Sequence, residues 1–353
     1  MTMRLGLAPI IASGMLALLV TTAPANAQTF TVTNLVSNQE GQAQNVDPNL
    51  VNAWGVAHSS NGPLWVVDNE TNVATAYQRD TGRPLGMSVA IPGGEGTGIV
   101  HIPGNGLDND DFVIRRNGNQ GESRFIFVNE NGLISGYNSA VDPATAVIAV
   151  NLREQKASLK GVTLLNDSNG VMTLYVADFH NNRVRMYDEQ FREIGRFTDT
   201  SLPKRFAPFN VKAIRGNIFV AFAEREKGGD DEVAGPGLGY IDVFAPNGTL
   251  LKHLVANGPL NAPWGMTVAP ASFGEFAGAT LVGNFGDGKI NAFDTSGNFM
   301  GALQGTDGQD LSIDGLWAID SNSDGSVDFA AGPDDEANGL LGRITLAGGK
   351  LKH

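Results

Sequence analysis

Leu174-Tyr175-Val176-Ala177-Asp178-Phe179-His180-Asn181-Asn182-Arg183-Val184-Arg185-Met186-Tyr187 is the stretch that decides the fold. An apolar run of strand length stops at Asp178. A short turn rich in asparagine follows, and a second run stops on an aromatic ring. β-Branched and aromatic residues suit a pleated, half-buried surface, while Asn and Asp accept the backbone conformations of tight turns. The stretch predicts a β-hairpin.

The same features recur in order along the chain. A Gly-apolar pair opens a strand at Gly55-Val56, Gly98-Ile99, Gly161-Val162, Gly265-Met266 and Gly315-Leu316, with Asn210-Val211 as a divergent copy. An apolar second strand follows at Leu64–Val67, Phe125–Val128, Leu174–Ala177, Ile218–Ala221, Thr280–Gly283 and Val327–Ala330. A third strand then carries Tyr77, Tyr137, Tyr187, Phe244 or Phe293, with Ile344 in the last copy. The openings lie 43, 63, 49, 55 and 50 residues apart, by subtraction of the opening positions. Short strands repeating every ~40–50 residues mark propeller blades. The two longest spacings hold insertions, 104–122 and 225–239, whose Gly, Asp and Asn content predicts surface loops.

A single small sheet cannot bury both of its faces, whereas sheets packed around an axis cover each other and leave only short edges. The expectation is an all-β, six-bladed β-propeller. The sixth copy runs out near Leu346, one strand short. Thr29–Val36, with Phe30 and Val32 alternating against threonines, is expected to join the last blade from the other end of the chain and close the ring.

The hairpin 174–187 resembles an NHL repeat, whose core reads V-x-D-x-x-N-x-R-[IV]-x-x-[FY], with one extra residue before Asn182. Leu64–Tyr77 is a looser copy that keeps Asp68 and Asn72. Over 28–348 the chain resembles an uncharacterised family of exported NHL-like propellers, through Asn34-Leu35-Val36-Ser37-Asn38 and the closing segment Ala331 to Gly342. The resemblance implies the fold and names no activity.

The sharpest candidate site is Asp320-Ser321-Asn322-Ser323-Asp324-Gly325-Ser326-Val327-Asp328. Calcium takes about six to eight oxygens from alternate positions of a tightly turning loop, and glycine permits the turn. The helix-loop-helix version would need a glutamate where Ala331 stands. The pattern is similar instead to the calcium loops of integrin-type propellers. That resemblance implies Asp320, Asn322, Asp324, the Ser326 carbonyl and Asp328 as ligands of a structural calcium. An acidic hairpin turn would carry the same letters. Asp108-Asn109-Asp110-Asp111 lacks both the glycine and the alternate spacing and is expected to be a solvated loop, as is Asp230-Asp231-Glu232.

In a blade, the entry to the first strand and the exit of the second lie on one face of the disc. That topology gathers Asn52, Trp54, Asp68, Asn69, Glu95, Asn129, Asp178, His180, Glu224, Asn261, Trp264, Asn284, Asp314 and Glu336 around one mouth, a candidate ligand or metal pocket. Asp68, Asn129, Asp178 and Asn284 end second strands and are expected to bond locally to backbone. Convergence of three among Glu95, Asp178, Asp314 and Glu336 would mark a catalytic mouth. Apolar or amide side chains filling it would mark a binding protein.

Arg4, the apolar run Leu5 to Val20 and Ala25-Asn26-Ala27 read as a secretory signal over 1–27, leaving 28–353 as one propeller domain, secreted or periplasmic. The chain has no cysteine, so its stability must come from core burial. A net charge of −13 without any Lys/Arg cluster excludes nucleic acid as a partner, and no second apolar run could span a bilayer. Nucleophile elbows, zinc-protease motifs and phosphate loops are missing. The expected function is a monomeric binding or scaffold module for a protein, glycan or small molecule. The alternative is a calcium-dependent, lactonase-like hydrolase or a lyase.

Overall fold

The computed structural model describes residues 28–59, 61–104 and 111–349. Residues 1–27, expected to be a secretory signal, and residues 105–110, which hold Asp108 to Asp110 of the expected acidic loop, lie outside that range. Blade one runs Ala53–His58, Leu64–Asp68, Val73–Tyr77, Pro84–Ala90, and blade two Gly96–His101, Phe125–Asn129, Leu133–Tyr137, Val147–Asn151. Blade three is Leu159–Asn166, Met172–Asp178, Arg183–Tyr187, Glu193–Phe197, and blade four is Phe206–Ile214, Asn217–Arg225, Tyr240–Phe244, Leu250–Ala256. Blade five follows as Pro263–Val268, Thr280–Asn284, Ile290–Phe293, Phe299–Ala302. Blade six takes Leu316–Ser321, Val327–Ala331 and Leu340–Leu346, and its fourth strand is Thr29–Ser37. The first strand of each blade touches that of the next, and the last touches the first. The fold is a closed six-bladed propeller. Every second strand and every third-strand aromatic expected from the repeats lies where the repeats put it.

Glycine opens four of the blades, at Gly55, Gly98, Gly161 and Gly265, where the neighbouring inner strand approaches closely. A Cβ on Gly55 would lie 2.7 Å from the Thr97 carbonyl oxygen, and one on Gly265 the same 2.7 Å from that of Trp317. The contact on Gly265 also corrects the frame of the last blade. The residue facing the axis there is Ala318, so Trp317-Ala318-Ile319 matches Trp54-Gly55-Val56. Gly315 is instead a turn residue with φ of +63°. The turn signal and the axial signal use the same amino acid, and the sequence reading took one for the other.

Apolar side chains fill the gaps between successive blades. Where they are described, the insertions carry paired strands. Val113–Arg116 pairs with Asn119–Glu122 as an extra hairpin, and Glu232–Val233 pairs with Glu224 and Arg225. Among the described residues no helix is long and apolar enough to cross a membrane.

Candidate functional site

At the mouth, Trp54, Phe209, Trp264 and Trp317, each just before an axial position, share one buried cluster. Trp54 stacks on Trp317 with ring centroids 3.6 Å apart, and Trp264 meets both edge-on at 6.1 and 6.0 Å. Phe285 stacks on Trp317 at 4.0 Å, and Phe209 lies 5.9 Å from it. Aromatic rings in stacked and edge-on contact gain quadrupole attraction on top of their buried area. The axis is therefore closed by a plug of indoles, and the channel below it, lined by Gly55, Gly98, Asn210, Gly265 and Ala318, encloses a cavity of about 30 Å³.

A polar chain rests against this plug. Trp317 Nε1 donates to Asn52 Oδ1 at 2.9 Å, and Asn52 Nδ2 donates to Glu336 Oε2 at 2.7 Å. Asn69 Nδ2 donates to Glu130 Oε2 at 3.2 Å, and Lys160 Nζ donates to Glu130 Oε1. Lys160 is fully buried, its ammonium 5.2 Å from the centre of the Trp54 ring. Burial works to lower the Lys160 pKa, but Glu130 and Glu232 outweigh it and hold the group above the ordinary lysine value.

Glu232 reaches this chain from the insertion, which is anchored where Asn261 Oδ1 accepts the Gly235 N–H at 2.6 Å. The insertion caps the mouth. Burial pushes the Glu232 carboxyl up to about 7, against the pull of Lys160 and with help from Glu336 and Asp231. An acid whose folded pKa exceeds its unfolded value of 4.5 holds more protons folded than unfolded between the two, so stability falls as pH rises through that window. Glu232→Gln is thus expected to raise stability by about 3 kcal/mol above neutral pH and to change little below pH ~4.5, at ~1.36 kcal/mol per pKa unit. Melting temperatures of both proteins across pH 4 to 9 check this; a gain independent of pH would refute it.

The anticipated pocket residues separate. Asn52, Glu336 and Asn261 reach the capped mouth. Glu95 is exposed and accepts from Asn131 at 2.8 Å, while Asp314 accepts the Asp334 N–H at 2.8 Å. Asp178 is buried against Arg185 Nε at 2.8 Å, inside its blade. Asp68, Asn129 and Asn284 likewise bond to Thr75, to the Pro92 and Gly94 carbonyls, and to the Pro259 carbonyl. Of the four acids whose convergence would mark catalysis, only Glu336 is at the mouth.

His180 lies elsewhere on this face. Its Nδ1 bonds Asp230 Oδ1, so the segment around Asp230 is held and not a free acidic loop. His180 borders a cleft of about 660 Å³ whose walls carry Lys204, Arg205, Arg225 and Lys227 against Glu224 and Glu226. Arg205 is paired with Glu224 at 2.7 Å and Arg225 donates to the His180 carbonyl at 2.6 Å, whereas Lys204 and Lys227 are exposed.

The acidic hairpin of the last blade is surrounded by the protein's own cations. Asp320 Oδ1 lies 2.9 Å from Lys212 Nζ, and Asp328 takes Arg343 Nε at 2.7 Å. Asn322 Oδ1 accepts from Arg79 at 2.8 Å, Asp324 accepts the Ser326 N–H at 2.9 Å, and the Ser326 carbonyl accepts the Asn322 N–H at 2.9 Å. A calcium ion here would have to displace a guanidinium and an ammonium.

Lys160, Glu130 and Trp317 were not singled out from the sequence, and Glu232 was expected in a solvated acidic loop, whereas burial dominates its surroundings. Lys160 had a visible signal, because Leu159-Lys160-Gly161-Val162 places a lysine where Ala53-Trp54-Gly55-Val56 and Pro263-Trp264-Gly265-Met266 place tryptophan.

No protein-family model matches the chain. Two proteins of Acanthamoeba polyphaga mimivirus do. Uncharacterized protein R648 is 30% identical over 335 residues, covering 90% of this chain and 80% of its own, and uncharacterized protein L690 is 32% identical over 335 residues, covering 90% and 86%. This chain belongs to their family. The family's fold is thus a β-propeller. Among solved structures, a streptogramin B lyase covers 90% of this chain and 98% of its own at 12% identity, with a TM-score of 0.52. At that identity the likeness is one of fold.

Proposed function

We propose that this member of the family is an exported binding propeller, taking an anionic small molecule in the cleft beside the insertion. The observation that carries this reading is the indole plug: ligand chemistry at the axis would need room that Trp54, Trp264 and Trp317 occupy. The cleft, by contrast, has the volume of a small-molecule site, and its exposed lysines stand out on a chain of net charge −13. Calorimetry with citrate and inorganic phosphate at low salt tests it. Binding is expected, weakened at least about tenfold in Lys204→Glu/Lys227→Glu and lost at high salt as exposed charges are screened. A folded protein that binds neither anion sinks the reading.

His180 with Asp230 favours a second reading, in which the cleft is a lyase or hydrolase site and His180 accepts the substrate proton. A carboxylate on Nδ1 orients the ring and stabilises the imidazolium. The fold of the streptogramin B lyase is compatible with it. Turnover that His180→Gln removes while anion binding persists would select this reading. Calcium at 320–328 is likewise a proposal, resting on residue spacing; a melting temperature that calcium raises over chelator, and that Asp324→Ala no longer shows, supports it.

A further inference from the structure

We propose that Asp199, Asp242 and His253 form a binding site for one zinc-like divalent transition-metal ion between blades three and four. The register places Asp242 opposite His253 on neighbouring strands of blade four, and Asp199 arrives from the connection that follows Glu193–Phe197 of blade three. His253 Nδ1 is 3.1 Å from Asp242 Oδ1 and 3.3 Å from Asp199 Oδ2. The three donors lie within 4.8 Å of one another. Zinc bonds of ~2.0–2.1 Å to nitrogen and oxygen put neighbouring corners of the tetrahedron ~3.3 Å apart. His253 Nδ1 already stands near that spacing from an oxygen of each carboxylate.

A second observation points to a missing cation. Asp199 is 6% exposed and Asp242 fully buried, yet the Oδ2 atoms of both are enclosed with no hydrogen-bond partner. The single proton on His253 Nδ1 can serve one carboxylate, never both. A metal ion serves both at once and answers the charge that burial makes costly. Ser201 already holds the other side of Asp199, its N–H donating to Oδ1 at 2.7 Å, so the carboxylate is aimed. The His253 side chain is 52% exposed, leaving a fourth corner open to water. One nitrogen and two carboxylates are too few hard oxygens for calcium, which takes about six to eight.

The full chain, stripped with chelator and titrated with zinc near pH ~8 where the carboxylates are ionised, tests the site. One ion per chain is expected, with a rise in melting temperature because the ion ties two blades together. Cobalt as a second probe should give the visible bands of a four-coordinate N/O site. His253→Ala and Asp242→Asn are each expected to weaken zinc at least about tenfold. Their melting without metal reports folding, and half-exposed His253 supplies the readout should the buried variant fail to fold. No stoichiometric uptake by the folded wild type at about 100 μM zinc, or uptake unchanged in either folded variant, overturns the proposal.

Discussion

Deleting residues 28–37 should leave a chain that no longer unfolds in one cooperative step. Thr29–Ser37 pairs with Leu340–Leu346 from Phe30↔Leu346 to Ser37↔Leu340, making the two ends of the described residues neighbours in one sheet. Phe30 is 1% exposed and packs against Phe273 and Phe276 of blade five at ring distances of 4.9 and 6.1 Å. Gln28 adds a side-chain clasp, donating to the Phe273 carbonyl at 2.7 Å and accepting the Glu275 N–H at 2.8 Å. Phe30→Ala alone should cost about 3–5 kcal/mol, the range for a large buried ring. Against a total of ~5–15 kcal/mol for a folded domain, losing the whole strand removes most of the margin. No disulfide can compensate, since the chain has no cysteine. Urea unfolding followed by tryptophan fluorescence measures both variants, and a truncated chain with the wild-type midpoint would show that the ring does not depend on this closure.

The closure was legible because it follows from counting: five complete repeats, one repeat lacking a strand, and one spare alternating segment at the far end. The axial chemistry was not, because it depends on which residues meet across blades. Asn52 and Glu336 are 284 positions apart in sequence and 2.7 Å apart in space, and topology arguments place both at the mouth without revealing that they bond each other. Trp317 was hidden by Gly315, a turn glycine mistaken for an axial one. Lys160 was hidden by habit, since a lysine in a surface-rich chain draws no notice until its place in the repeat is aligned with Trp54 and Trp264. Spacing alone also cannot tell an acidic loop that waits for calcium from one whose carboxylates hold Arg343 and Lys212.

Trp317→Ala should cost about 3–5 kcal/mol and open a void between Trp54, Trp264 and Phe285. The loss has two sources. Removing the indole forfeits stacking on two rings, at 3.6 Å from Trp54 and 4.0 Å from Phe285, and leaves Asn52 Oδ1 without the Nε1 donor that now meets it at 2.9 Å. An orphaned buried acceptor adds about 1–3 kcal/mol where water cannot reach it. The void's walls are largely aromatic, and apolar cavities of this kind stay dry and accept small aromatic molecules. Indole is therefore expected to raise the melting temperature of the variant and to leave the wild type unchanged. Wild-type stability in Trp317→Ala would mean that the plug is incidental to the ring. The same variant separates the two places where a ligand could bind. Citrate affinity that survives the substitution, measured well below the variant's melting temperature, keeps the site in the cleft beside the insertion. Affinity lost from a protein whose indole complex is still folded moves it to the axis.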